Sequence, residues 1–321
     1  RGMSSAASDV YKRQQLRWEM DSNAINIHLT LVPYLSAAGE LKTKPTQNSV
    51  KKLRELGLQP DILVCRTEHH LGSEIKRKIA QFCNVERDAV IESLDAESIY
   101  HVPLLMQSEM LDKVALRKLG LKDETSVSLH FWNNFLSRLK NPTSEVKIAV
   151  VGKYVELQDA YKSIAEAFIH SGAANNCKVK ISWIQSEEVS PLNVKEKLKQ
   201  YDGILVAPGF GDRGIVGKIE AVKYARTEKV PFFGICLGMQ CAVVEYARNI
   251  LNLADANTTE INPNTLNPVI DLMDNQKKVT DKGGTMRLGA YSCQVKKDSI
   301  AYECYQKVNI KERHRHRYEF N

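Results

Sequence analysis

From residue 146 onward one pattern repeats: a short, mostly apolar run, then a stretch of helical spacing. The apolar runs cover 146–152, 179–184, 203–207 and 232–235, and the helical stretches 159–171, 194–200, 217–227 and 237–248. A strand that is apolar on both faces must be covered on both, and a parallel sheet between two helix layers does this. The pattern therefore predicts a doubly wound α/β domain. Ligands in such sheets sit beyond the carboxyl ends of the strands. Two segments fall at such ends, Ala207-Pro-Gly-Phe-Gly211 and the turn at Cys236.

That turn reads Pro231-Phe-Phe-Gly-Ile-Cys236-Leu-Gly-Met-Gln240. Gly234 and Gly238 lack the Cβ atoms that would clash in a sharp strand-to-helix turn, so the thiol can stand at its apex. The N–H groups of the following helix would then face the sulfur and favour thiolate. A buried core cysteine satisfies the same local pattern. The turn alone leaves both readings open.

The first part of the chain is expected to fold separately. Strands are expected at 25–29, 61–65 and 89–91, and helices at 47–56, 73–83, 104–119 and 132–139, with Ser73 capping the second helix and 33–47 a loop. Asn141-Pro142 marks the boundary. Residues 1–14 are small and polar without periodicity and read as a tag-like, non-native segment. The expected domains are thus 15–141 and 142–321. With 321 residues, 43% of them hydrophobic, there is material for two cores.

No apolar run approaches the roughly 18 residues a membrane span needs, and no secretory h-region is evident. The seven cysteines form no C-x-x-C pair, which speaks against a disulfide framework and a zinc site and for a reducing, cytoplasmic setting. The net charge of +7 gathers partly at Lys42/Lys44, Lys51/Lys52, 76–78 and 311–317. Without a zinc-finger, basic-zipper or RNP-like pattern, phosphorylated small molecules suit this charge better than nucleic acid.

Cys236 in its glycine frame, with the Pro208-Gly-Phe-Gly211 loop, resembles the class I glutamine amidotransferases. Lys42-Thr-Lys-Pro-Thr-Gln47, Gly283-Gly-Thr-Met-Arg-Leu-Gly289 and Glu312-Arg-His-Arg-His-Arg-Tyr-Glu319, in that order, narrow the resemblance to the CTP synthase family, from about residue 24 to the end. The resemblance implies part of a P-loop-like amidoligase (synthetase) domain followed by a class I glutamine amidotransferase domain. It implies ATP-dependent amination of UTP to CTP with ammonia from glutamine, GTP as activator, Mg2+ bound by residues outside this chain, and a homotetramer.

Residue by residue, the family pattern makes Cys236 the nucleophile. It places glutamine on Gly209, Leu237, Gly238, Met239, Gln240, Glu260 and Arg317, with the backbone N–H groups of Leu237 and Gly209 as oxyanion donors. Glu260 would pair with the substrate ammonium and Arg317 would fork onto its carboxylate. UTP, or CTP as feedback inhibitor, falls on Lys42, Thr43, Lys44, Pro45, Thr46, Gln47 and Lys78. ATP falls on Arg66, Leu94, Asp95 and Ala96. The 211–217 loop, with Arg213, is a candidate GTP contact.

The family's P-loop and its Phe-His-Pro-Glu-Phe segment, source of the triad His and Glu, do not occur in these residues. The chain is therefore expected to be an internal fragment that makes no CTP alone. The alternatives are another class I amidotransferase such as GMP synthase, which would lack the Lys42 motif, and a non-catalytic nucleotide-binding or scaffold fragment.

Overall fold

The computed structural model describes residues 5–123, 127–153, 155–156, 158–209, 211–277, 279 and 289–321. They divide into two compact units, 1–137 and 138–321.

In the first unit, β1 (Ile27–Leu31), β4 (Ile62–Thr67) and β5 (Val90–Leu94) form a parallel sheet in the order β1-β4-β5. Alternate residues of β4 feed two cores, as a doubly covered strand requires. Leu63 and Cys65 pack with Val50 of α2 (Lys44–Glu55) and with Ile79 and Cys83 of α3 (Ser73–Cys83). Ile62 and Val64 pack with Ile91 and with Val114 of α5 (Leu111–Lys118). β1 is one of the two sheet edges, and its Ile27, Leu29 and Leu31 are all exposed. A small hairpin of β2 (Tyr34–Leu35) and β3 (Glu40–Leu41) precedes α2.

Several boundaries differ from the sequence reading. A helix, α1 (Ser5–Met20), occupies the stretch in which no element was expected; its Arg17 pairs with Asp61 at 3.2 Å. Helix α2 begins at Lys44 rather than 47, because Pro45 sits in the first turn, where its missing N–H costs nothing. Ser73 is not the cap of α3: that position is Gly72, with no side-chain cap. The single helix expected over 104–119 is two, α4 (Val102–Ser108) and α5, broken where Met110 takes φ 61°.

Helix α6 (His130–Lys140) leads to the second unit, whose sheet runs β7-β6-β8-β9, all parallel. The strands are β6 (Ser144–Gly152), β7 (Cys177–Gln185), β8 (Gly203–Val206) and β9 (Phe232–Gly234). One face carries α9 (Ile215–Thr227) and α10 (Leu237–Asn249), packed on Ala149, Val151, Ile204 and Val206. The other takes Val150 and Leu205 against Tyr161 and against Phe168 of α7 (Lys162–Ala174). The short α8 (Val194–Leu198) joins β7 to β8. The expected doubly wound α/β fold is therefore present, and strand order reverses between β6 and β8.

Beyond α10, β10 (Asn257–Thr258), β11 (Pro268–Leu272) and β14 (Tyr318–Phe320) make a small mixed sheet. β12 (Gly289–Gln294) pairs antiparallel with β13 (Asn309–His314), with α11 (Ile300–Tyr305) between them in sequence. Of the 283–289 motif only Gly289 lies within the described residues. Phe210 also lies outside them.

Candidate active site

The site begins with backbone geometry. Cys236 joins β9 to α10 at φ 54°, ψ −108°, a conformation strained for any side-chain-bearing residue. Its flanking glycines make that turn possible. A Cβ at Gly238 would lie 2.1 Å from the Val206 carbonyl oxygen, and one at Gly234 would lie 2.5 Å from the Gly238 carbonyl carbon. The first turn of α10 therefore presses directly on β8 and β9, and Cys236 is pushed out to a half-buried position. It is not a core cysteine, unlike Cys65, Cys83 and Cys241.

The expectation of a thiolate favoured by the helix start is corrected. Burial pushes the Cys236 thiol up, and the N–H of Leu237, bonded to the sulfur, only partly offsets this. The Glu260 carboxylate adds to the upward push and the Lys218 ammonium opposes it. Desolvation is the largest of these influences, so the net shift is upward.

Gly209 lies in the loop that follows β8. A Cβ there would meet Lys218 Nζ at 3.4 Å, Leu237 Cδ2 at 3.5 Å and Lys153 Cδ at 3.8 Å. Gly209 thus adjoins the residue after Cys236. Glu260 stands nearby, its Oε1 accepting from the Gly211 N–H at 3.5 Å. Leu237, Gly238 and Gln240 are buried, whereas Met239 is exposed. Arg317 precedes β14, and its buried Nε has no hydrogen-bond partner among the described residues. Charges on Arg317 and Glu260 both reach the Tyr318 phenol, which burial pushes up. Cys236, Gly209, Leu237 and Glu260 therefore belong to one neighbourhood, and Tyr318, next to Arg317 in sequence, lies within reach of the Glu260 charge. Arg213, the candidate GTP contact, pairs with Glu187 at 2.7 Å.

The loop rests on two lysines that the sequence reading missed. Lys218 is 0% exposed and Lys153 is 2% exposed. Lys218 Nζ donates to the Ala207 carbonyl at 2.7 Å, and Lys153 Nζ donates to the Gly211 carbonyl at 3.1 Å. The signal was available: Lys218 interrupts the apolar run of α9, and Lys153 directly follows the apolar β6 at the sheet's switch point.

In the first unit, Lys42 forms an ion pair with Glu40, and the Lys78 charge reaches the same carboxylate, which Lys42 holds below its usual range. Thr43 and Thr46 are buried. Thr46 Oγ1 donates to the Leu31 carbonyl at 2.9 Å, and Gln47 Nε2 donates to Thr43 Oγ1 at 3.0 Å, so these side chains brace the segment, while Lys44 and Pro45 open α2. Arg66 and Asp95 form an ion pair at 2.9 Å beside Leu94, the last residue of β5, and Ala96. Among the described residues no His, Cys, Asp and Glu cluster is set to hold a metal ion, and no helix is long and apolar enough to cross a membrane.

The "Glutamine amidotransferase class-I" family matches residues 156–321, the stretch that carries Cys236, Glu260 and Arg317. The chain belongs to the class I glutamine amidotransferases. Residues 6–121 match "CTP synthase N-terminus". This places a synthetase-type domain ahead of the amidotransferase, and it favours the CTP synthase reading over GMP synthase.

The CTP synthase of Cytophaga hutchinsonii is 63% identical over 309 residues, 96% of this chain and 57% of that protein. That of Flavobacterium johnsoniae is 61% identical over 309 residues, again 96% of this chain and 58% of that protein. The chain thus spans a little over half the length of these curated relatives. Among solved structures, the Trypanosoma brucei CTPS glutaminase domain with bound acivicin aligns with TM-score 0.50 and 40% identity, over 55% of this chain and 68% of that one.

Proposed function

We propose that this amidotransferase domain hydrolyses glutamine at Cys236 and, in the intact protein, supplies the ammonia for ATP-dependent conversion of UTP to CTP. The observation that carries the reading is the strained, half-buried Cys236 set beside Gly209 and within reach of the Glu260 charge. The Cys236 sulfur attacks the side-chain amide carbon, and the oxyanion so formed is held by the N–H groups of Leu237 and Gly209. The C–N bond breaks as the departing nitrogen takes a proton and leaves as ammonia. Water then hydrolyses the thioester to glutamate. The His that the resemblance implies would carry those protons. Glu260 takes the substrate ammonium and Arg317, whose Nε is unpartnered, takes its carboxylate.

In the first unit, Lys42 and Lys78, converging on Glu40, offer two cations to a UTP triphosphate. Arg66 and Asp95 would line the ATP site. GTP activation, a homotetramer and a cytoplasmic setting belong to the same proposal. Mg2+ would supply charge neutralisation on the ATP phosphates, with ligands other than the described residues.

The deciding experiment treats the intact protein with acivicin and maps the adduct by mass spectrometry. A single adduct on Cys236, blocked by glutamine, is expected. Labelling spread over several cysteines and indifferent to glutamine would overturn the reading.

A further inference from the structure

Two fully buried ammonium groups beneath one loop are costly and call for a reason. Burial, with the neighbouring Lys153 charge adding to it, brings Lys218 down to about 8 against the opposing pull of Cys241 and Cys236. Both lysines donate to main-chain carbonyls of the segment that carries Gly209. Lys218 Nζ lies 2.7 Å from the Ala207 oxygen and 3.5 Å from the Pro208 oxygen, and Lys153 Nζ lies 3.1 Å from the Gly211 oxygen. No described peptide bond is cis. In a trans peptide the carbonyl and the following N–H point in opposite directions. A Pro208 carbonyl drawn inward to Lys218 therefore turns the Gly209 N–H outward. Gly209 is partly exposed.

We infer that Lys218 is a positioning residue: by drawing the Ala207 and Pro208 carbonyls inward, it presets the Gly209 N–H as the second oxyanion donor beside Cys236. The lysine touches no substrate atom. It replaces the reorganisation that a free loop would undergo in each cycle, which is what a preorganised donor contributes to catalysis. It also explains why a cation is retained at a place where a leucine would pack without desolvation cost. Lys153 holds the far end of the same loop. This inference rests on the glutaminase reading of Cys236 and extends it.

The test compares the parent intact protein with Lys218→Met, which keeps the side-chain volume and removes the donor. Two rates are followed: glutamine hydrolysis, and alkylation of Cys236 by iodoacetamide, a displacement that forms no oxyanion. With the donor misplaced, kcat for glutamine falls by about a hundredfold with KM little changed, as for loss of an interaction made only in the transition state. Iodoacetamide labelling stays within about threefold, the Lys218 charge being only a minor influence on the thiol. Equal loss in both reactions would mark Lys218 as a general structural or electrostatic support and overturn the inference, as would unchanged hydrolysis. If Lys218→Met fails to unfold cooperatively, Lys218→Gln, which keeps an N–H donor group on a shorter, uncharged side chain, replaces it. The same selective loss of kcat, smaller in size, is then expected, and a nonselective effect again overturns the inference. A parent protein without glutaminase activity would instead refute the function proposed for Cys236.

Discussion

Gly238 rests on Val206: a Cβ at the glycine would stand 2.1 Å from the valine carbonyl oxygen. Helix α10 can therefore start where it does only if its second residue has no side chain. Gly238→Ala is expected to cost about 2 kcal/mol of stability, the size of an overpacked core, and to remove acivicin labelling of Cys236 by shifting the turn. Gly72→Ala is the matched control, since a Cβ there meets nothing within 4 Å. Thermal unfolding and peptide mapping read both effects; an unperturbed Gly238→Ala would contradict the close approach.

Helices α9 and α10 are joined by Arg226 and Glu245. The guanidinium donates to both carboxylate oxygens, at 2.7 Å and 2.9 Å, and the Glu245 side chain is 1% exposed. Arg226→Ala leaves a buried carboxylate without its partner and should destabilise the domain by about 3 kcal/mol, whereas Arg226→Ala with Glu245→Leu should recover most of that loss. Urea denaturation of the single and double variants checks this. A double variant as unstable as the single one would refute it.

Alkylation of Cys236 should respond to pH and to Glu260 in a defined sense. The thiol lies above its ordinary value, so at neutral pH little thiolate is present, and the iodoacetamide rate keeps rising with pH beyond the range of a free thiol. Glu260→Gln removes a charge that holds the thiol up. At fixed pH it should speed iodoacetamide labelling while raising KM for glutamine. Slower labelling in that variant would reverse the sign assigned to the contact.

Lys218 also predicts a pH dependence of stability. Its folded value of about 8 is below the 10.5 of the unfolded chain, so between these values the unfolded state binds more protons. Below pH 8 the cost of burying the ammonium is constant. It is relieved as pH rises from 8 to 10.5. The stability of the parent relative to Lys218→Met should therefore increase across that window. The buried thiols Cys65 and Cys83, pushed up to about 12 and about 11, lower stability at high pH in both proteins and cancel in the difference. A difference flat with pH would place the lysine in water.

The edge strand β1 presents Ile27, Leu29 and Leu31 to solvent. Unpaired apolar edges invite association. The 321-residue chain is expected to scatter light increasingly with concentration, and Leu29→Lys to suppress this; equal scattering by both would assign the association to another surface.

Periodicity and local chemistry in the sequence determined the alternation of strands and helices, the parallel sheet between two helix layers and the glycine-framed Cys236 turn. Each follows from neighbours in the chain: apolar runs need covering on both sides, and a reversal at a cysteine needs residues without Cβ. The break at Met110 and the early start of α2 were less legible, since a left-handed residue and a first-turn proline leave helical spacing almost unchanged. The three-dimensional fold alone decided the balance at Cys236, where burial outweighs the helix start, and the use of Lys153 and Lys218 as supports under the Gly209 loop. Desolvation and hydrogen-bond partners depend on atoms beyond the local sequence: Lys218 reaches back 11 residues to Ala207, and Lys153 reaches Gly211 across 58 residues of chain. A lysine inside or just after an apolar run signals burial, but the sequence does not say which carbonyl its ammonium will meet.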